Sequence, residues 1–295
     1  FARRNIVEAN IPSSITNICS YCFDECNKLR TINFDSNSKV KILRSYSFTN
    51  SGIENFICPK IVEKIESFCF SNCQKLKTVN FESESKLNLI KKFAFQNSSL
   101  AKIFIPKHAE ITPNSLKCCY SLSTIKISPE NKNYKYLDDR FIVTESKTGS
   151  FDKLVFARSF GLSKLVIPSY INSFCDECFN LFRCESVEYS TDTKLRSIND
   201  GLFGNSEIKT IKIPSNFTKI GKDSFKFTKS LTTIIFDSNN SMLESIGISA
   251  FYGSTIESIT IPKSVKSIDQ SAFEASAIKS ITIPQSVKSI GKSAF

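Results

Sequence analysis

Apolar and polar positions along the chain recur in one frame. Residues 256–273 and 278–295 both read I-x-S-I-T-I-P-x-S-V-K-S-I-x-x-S-A-F, the second copy 22 residues after the first. A fixed period of this size marks a solenoid of stacked repeats. The start of the frame recurs, with variation, at 6–11, 29–34, 53–58, 76–81, 100–105, 122–127, 162–167, 184–189, 208–213, 231–236, 256–261 and 278–283. Apolar residues on its fourth and sixth positions give the alternation of a short strand with one buried face. Pro12, Pro59, Pro106, Pro168, Pro214, Pro262 and Pro284 follow the strands. Proline has no N–H to give a ladder, so it ends the strand and turns the chain.

Beyond the proline, apolar residues return three, six and eleven positions on, as in Val62, Ile65 and Phe70 or Val287, Ile290 and Phe295. These point inward from the opposite wall of each coil. The stretch before each Phe is too short for a lone helix, so a single helical or 3-10 turn is expected there. Alternate repeats replace the proline with Asp/Ser/Asn-rich turns, as at 34–40, 81–87, 189–195 and 236–243, and lengthen the period to about 25. The Phe position itself is filled by Phe1, Phe23, Phe48, Phe70, Phe95, Phe179, Phe203, Phe225, Phe251, Phe273 and Phe295, with Leu116 the exception. Stacking repeats puts these rings about 5 Å apart in one buried spine.

Residues 128–161 break the frame and read as a hairpin inserted in the solenoid, with Lys147-Thr-Gly149 as its turn. No linker or shift of composition marks a boundary, so the expected organisation is one domain over 1–295, about twelve repeats of 22–25 residues.

Composition adds little to this picture. The apolar and charged fractions, 41% and 23%, are those of an ordinary soluble chain. No apolar run approaches a membrane span, and direct membrane insertion is not expected. No signal peptide is visible. The chain begins and ends at the same repeat position, which reads as a fragment cut in phase, with targeting segments outside it. The net charge of +11 raises a polyanion partner as an alternative. Lysine decorating the outward positions accounts for the same charge.

Candidate chemistry is sparse. Eleven cysteines include two C-x-x-C pairs, Cys19/Cys22 and Cys175/Cys178. Cys22, Cys69 and Cys178, however, occupy the small position before Phe that Ala94, Ala250, Ala272 and Ala294 fill elsewhere. Cys26, Cys73 and Cys119 follow the Phe position by three residues, and Cys184 starts a strand. Such small buried sites suit free thiols. Cysteines two repeats apart lie roughly 10 Å from each other, beyond disulfide reach. Reduced structural thiols are expected, with no metal and no cofactor. One histidine, His108, leaves no triad or multi-histidine zinc site. The acidic pairs Asp24-Glu25, Asp138-Asp139 and Asp176-Glu177 read as solvated turns. No glycine-rich phosphate loop is present. Asn97, Asn216 and Asn239 begin glycosylation sequons of the kind a Ser/Asn-rich chain produces by chance. No acid, base and nucleophile assemble, so no enzyme is expected.

Ile261-Pro262, Val265, Ile268 and Ala272-Phe273, with Ile11-Pro12, Ile15, Ile18 and Cys22-Phe23-Asp-Glu-Cys26, resemble the unit of the BspA-like leucine-rich repeat family. Ser128-Pro-Glu-Asn-Lys-Asn-Tyr134 resembles an interruption that recurs in that family. The resemblance covers nearly the whole chain. It implies an α/β leucine-rich repeat solenoid, right-handed, with a parallel β-sheet on the concave face and short helical or 3-10 turns and loops on the convex side. It also implies a surface antigen, secreted or at the cell surface, that adheres to host or extracellular-matrix protein, or to glycan. A cytoplasmic scaffold is the alternative address, because free thiols sit awkwardly outside the cell. The outward strand positions are the expected binding face, and Lys102, Phe104, Lys126, Lys164 and Val166 its first contact residues. Nucleic acid is the weaker partner.

Overall fold

Every repeat turns twice into the left-handed region around its spine residue. Tyr46 and Asn50 flank Phe48 at φ 61° and 55°, Phe68 and Asn72 flank Phe70 at 60° and 57°, and Ser249 and Gly253 flank Phe251 at 51° and 62°. The computed structural model that shows this describes residues 1–82, 84–237 and 240–295. The expected helical or 3-10 turns do not form among them: the segments around each spine Phe are irregular turns. A helical turn needs consecutive residues near φ −60°, and a left-handed residue two positions to each side forbids that. The backbone donors go to the next coil instead. Tyr46, Phe48 and Asn50 N–H bond the carbonyls of Ser67, Cys69 and Ser71 at 3.3, 2.9 and 3.0 Å.

The chain divides into two compact units, Phe1–Phe151 with Val155–Phe160, and Asp152–Leu154 with Gly161–Phe295. Each is built from parallel strands stacked repeat on repeat. In the first unit, Glu8–Ile11 pairs with Thr31–Phe34. Asn55–Cys58, Thr78–Phe81, Lys102–Ile105 and Thr124–Ile127 form a four-stranded parallel sheet. A second parallel sheet, not anticipated from the sequence, joins the two-residue strands Asn17–Ile18, Ile42–Leu43, Lys64–Ile65, Leu89–Ile90 and Glu110–Ile111. Their buried members are inward residues: Ile18 and Ile65 lie six positions past Pro12 and Pro59, Ile111 five past Pro106, and Leu43 and Ile90 hold the same place in the repeats without the proline. In the 128–161 segment, Tyr134–Leu137 pairs antiparallel with Phe141–Glu145. A turn closed by Ser146 N–H on the Ser150 carbonyl leads into Phe151–Ala157.

The second unit repeats the plan. Lys164–Ile167, Ser186–Tyr189, Thr210–Ile213 and Thr233–Phe236 form one parallel sheet, and Ser258–Thr260 pairs with Ser280–Thr282. Ser197–Ile198, Lys219–Ile220, Ser245–Ile246, Ser267–Ile268 and Ser289–Ile290 form the row of short strands. Lys153 and Leu154 pair with Ser173 and Phe174.

Both units are held by a phenylalanine spine. Phe23, Phe48, Phe70 and Phe95 stack at 5.3, 5.1 and 5.4 Å in the first. Phe179, Phe203, Phe225, Phe251 and Phe273 stack at 5.2, 5.5, 5.1 and 5.0 Å in the second. The parallel strand spacing sets this separation. Burial of each ring is worth roughly 1.5–3 kcal/mol. Leu116 takes the spine position in its repeat and is buried as the rings are.

Candidate binding face

The strand alternation buries one side of each four-residue strand and exposes the other. In the first unit, Asn55 and Ile57, Thr78 and Asn80, Lys102 and Phe104, and Thr124 and Lys126 point away from the core. Phe104 stands in register beside Lys126, and Lys102 beside Thr124. In the second unit, Lys164 and Val166 are exposed on the first strand of the Lys164–Ile167 sheet, with Ser186 and Glu188 in register beside them. Of the five expected contact residues, Lys102, Phe104 and Lys126 thus share one face, and Lys164 and Val166 share another.

The apolar members of these faces are openly displayed. Phe104 is 40% exposed, Ile57 59%, Val166 46% and Ile235 45%. Ile57 is missing from the expected contacts. Its strand reads Phe56-Ile57-Cys58, so hydropathy does not mark its outward position, although the repeat frame does. Electrostatics separate the two faces. Lys164 Nζ lies 2.8 Å from Glu188 Oε1, and Lys212 Nζ 3.4 Å from Asp237 Oδ1. Among the described residues, Lys102 and Lys126 enter no ion pair.

A second aromatic row, also unanticipated, lies on the turns of the first unit. Tyr21, Tyr46, Phe68 and Phe93 stack at 4.9, 4.9 and 5.0 Å. They fill the left-handed position two residues before the spine. Stacking worth about 0.5–1.5 kcal/mol per pair offsets the backbone strain of holding bulky residues there. Lys92 and Lys117 place their ammonium groups 5.9 and 5.6 Å from the Phe93 ring centre.

All eleven cysteines are free. Burial pushes the Cys73 thiol up to about 11 and the Cys119 thiol up to about 12. In the second C-x-x-C pair, a hydrogen bond between the thiols holds Cys175 below the ordinary thiol range and pushes Cys178 above it. Among the described residues, no group of three or more His, Cys, Asp or Glu is placed to hold a metal ion. The described residues form no helix long and apolar enough to cross a membrane. Asn97 is exposed, Asn216 is partly buried with Nδ2 bonded to the Thr193 carbonyl at 3.0 Å, and Asn239 lies outside the described residues.

A family model described as the BspA type leucine rich repeat region matches residues 1–123, 41–144, 130–244 and 230–295, and so spans the chain. The chain belongs to the BspA-type leucine-rich repeat family. Membership makes it a repeat scaffold suited to protein interaction. A comparison with curated proteins returned no match. Solved structures of similar fold are bacterial. A leucine-rich repeat protein from Eubacterium ventriosum superposes with a TM-score of 0.72 at 19% identity, over 99% of this chain and 83% of that one. The pneumococcal vaccine antigen PcpA gives 0.65 at 22% identity, over 95% and 73%. A leucine rich cell surface protein from Faecalibacterium prausnitzii gives 0.57 at 22%, over 94% and 78%. At these identities the likeness is one of fold. In BspA-type terms, the buried cysteines and the phenylalanine spine belong to the packing frame, and the exposed strand positions vary from repeat to repeat.

Proposed function

We propose that this BspA-type chain is a non-enzymatic adhesive scaffold, secreted or held at the cell surface, that meets a host or extracellular-matrix protein through its exposed strand faces. The observation that carries this reading is the open display of Phe104 and Val166, with Ile57 and Ile235, on regular and mostly polar sheet faces. An exposed aromatic flanked by cations has the composition of an interface anchor. A protein of similar fold described as a leucine rich cell surface protein, and another described as a vaccine antigen, support the address. Burial of most thiols reconciles free cysteine with an oxidising exterior.

The test is adhesion of the labelled chain to cultured host cells and to immobilised matrix proteins, compared with a Phe104→Ser/Val166→Ser variant. Both residues point outward, so the variant is expected to keep the parent's melting temperature and lose adhesion. Undiminished adhesion by the variant, or none by the parent, would sink the reading. The net charge of +11 favours a second reading, capture of a polyanion. That reading predicts affinity for heparin or nucleic acid that falls steeply with log salt, whereas apolar anchoring survives moderate salt.

A further inference from the structure

We infer that the face formed by Asn55–Cys58, Thr78–Phe81, Lys102–Ile105 and Thr124–Ile127 docks an extended protein segment carrying two apolar side chains three residues apart, followed at once by acidic residues. This rests on the adhesive reading above and specifies its partner.

The charge argument comes from one geometric relation found in both units. Lys164 stands opposite Ser186, and Val166 opposite Glu188, which makes Lys164 and Glu188 diagonal neighbours. Their side chains meet at 2.8 Å. Lys102 stands opposite Thr124, and Phe104 opposite Lys126, so Lys102 and Lys126 hold the same diagonal relation. The position that supplies a carboxylate in the second unit supplies a second ammonium group in the first. Like charges at such separation repel. The four strands hold no carboxylate of their own. A partner carboxylate seated between Lys102 and Lys126 would relieve the repulsion and gain two charge-assisted contacts.

The spacing argument comes from the sheet. Ile57 is in register with Asn80, and the pairing of Thr78 with Lys102 carries Asn80 to Phe104, which is in register with Lys126. Ile57, Asn80, Phe104 and Lys126 therefore form a row across four strands. Strands about 4.8 Å apart put Ile57 roughly 10 Å from Phe104 and roughly 14 Å from Lys126. An extended segment in the polyproline II conformation makes three residues per turn at about 3.1 Å per residue, so it returns side chains to the same side every three residues, about 9 Å apart. A segment lying along the row meets Ile57 and Phe104 with residues three apart, and the lysines with the next one or two. Between the two anchors stands the amide of Asn80, exposed and with no side-chain partner among the described residues, where it suits main-chain N–H and C=O groups.

The experiment uses the 295-residue chain and fluorescent peptides with the core Leu-Ser-Ser-Phe-Glu-Asp flanked by Gly-Ser repeats. One comparison peptide replaces Glu-Asp by Lys-Lys, and another shortens the spacing to Leu-Ser-Phe. The acidic peptide is expected to bind at least about tenfold more tightly than either. Lys102→Glu/Lys126→Glu is expected to reverse the order of the acidic and lysine peptides, and Lys164→Glu to leave it unchanged. Equal binding of the acidic and lysine peptides, no binding of the acidic peptide at about 1 mM, or no reversal in a double variant that melts like the parent would overturn the inference. So would heparin displacing the peptide with a steep salt dependence, which assigns the lysines to a polyanion. If Phe104→Ser/Val166→Ser abolishes adhesion while the peptides fail these tests, this inference falls and the adhesive role stands. If that variant adheres like the parent, the adhesive role itself falls.

Discussion

The thiol of Cys73 donates to the carbonyl of Phe48, one repeat back, at 3.0 Å. Cys119 makes the same bond to the Phe95 carbonyl at 3.1 Å. These thiols act as small polar ties between coils, each fully or almost fully buried. Most of the eleven thiols are therefore expected to react slowly in the native chain, with exposed Cys19 first, and all eleven rapidly after denaturation without reductant. Counting with a thiol reagent before and after denaturation checks this. Four or more thiols missing from the denatured count would mean that disulfides form and the ties do not.

The same burial makes stability depend on alkaline pH. The folded chain holds the Cys73 and Cys119 protons up to about 11 and 12, against an ordinary value of 9.0. Between these limits the unfolded chain has already released them, so deprotonation pulls the equilibrium towards unfolding. The contribution is whole below pH 9.0 and is lost as pH climbs through about 11 and 12. Melting temperature is expected to fall over that window, and to fall less in a Cys73→Ala/Cys119→Ala variant. Equal slopes in the two would show that the thiols take no part.

Phe225 sits between Phe203 and Phe251 at 5.5 and 5.1 Å and is inaccessible to solvent. Lys222, three residues earlier, is exposed. Phe225→Ala is expected to cost roughly 3–5 kcal/mol, and Lys222→Ala less than about 0.5 kcal/mol. Denaturant unfolding of both variants measures the difference. Similar losses would mean that the ring spine does not carry the stability of its unit.

Asn131 explains why the frame can break after residue 127. Its Nδ2 donates to the carbonyls of Pro106 and Ala109 at 2.8 and 3.1 Å, and its Oδ1 accepts from the N–H groups of Asn133 and Tyr134 at 2.9 and 3.1 Å. One side chain thus anchors the departing loop to the preceding repeat. Asn131→Leu takes the partner from the Ala109 carbonyl and from the N–H groups of Asn133 and Tyr134, while the Pro106 carbonyl keeps the Ala109 N–H at 3.2 Å, and is expected to cost about 3 kcal/mol or more at roughly 1–3 kcal/mol per unsatisfied group. A loss under 1 kcal/mol in denaturant titration would show that water or a rearranged loop replaces it.

The packing frame was legible because its residues are copied: Phe225, Val265 and Ile268 announce their burial by recurring at fixed intervals. The turns were not. Asn50, Asn72, Asn97 and Asn205 suit the left-handed region, but Glu25, Leu181 and Phe227 hold the same conformation at φ 55°, 59° and 55°. Nothing in those side chains prefers it; inter-coil hydrogen bonds impose it. The candidate face was half legible. The alternation marks Lys102 and Lys164 alike as outward, yet only the register of the next strand shows that one is diagonal to Lys126 and the other to Glu188.

Glycine substitution separates a left-handed turn from the helical turn that the sequence suggested. Ala275 is exposed at φ 55°, the position that Gly253 fills one repeat earlier. A left-handed L-residue costs roughly 1–2 kcal/mol, and glycine escapes that cost while giving up roughly 0.5–1 kcal/mol of chain entropy. Ala275→Gly is therefore expected to be neutral or to stabilise by up to about 1 kcal/mol. Ala272, three residues before it, is fully buried outside the left-handed region. Ala272→Gly gains nothing in return for the same entropy and is expected to destabilise by about 1 kcal/mol. In a helical turn both substitutions would destabilise. Opposite signs in denaturant titrations of the two variants support the left-handed geometry, and a loss of about 1 kcal/mol or more from Ala275→Gly would refute it.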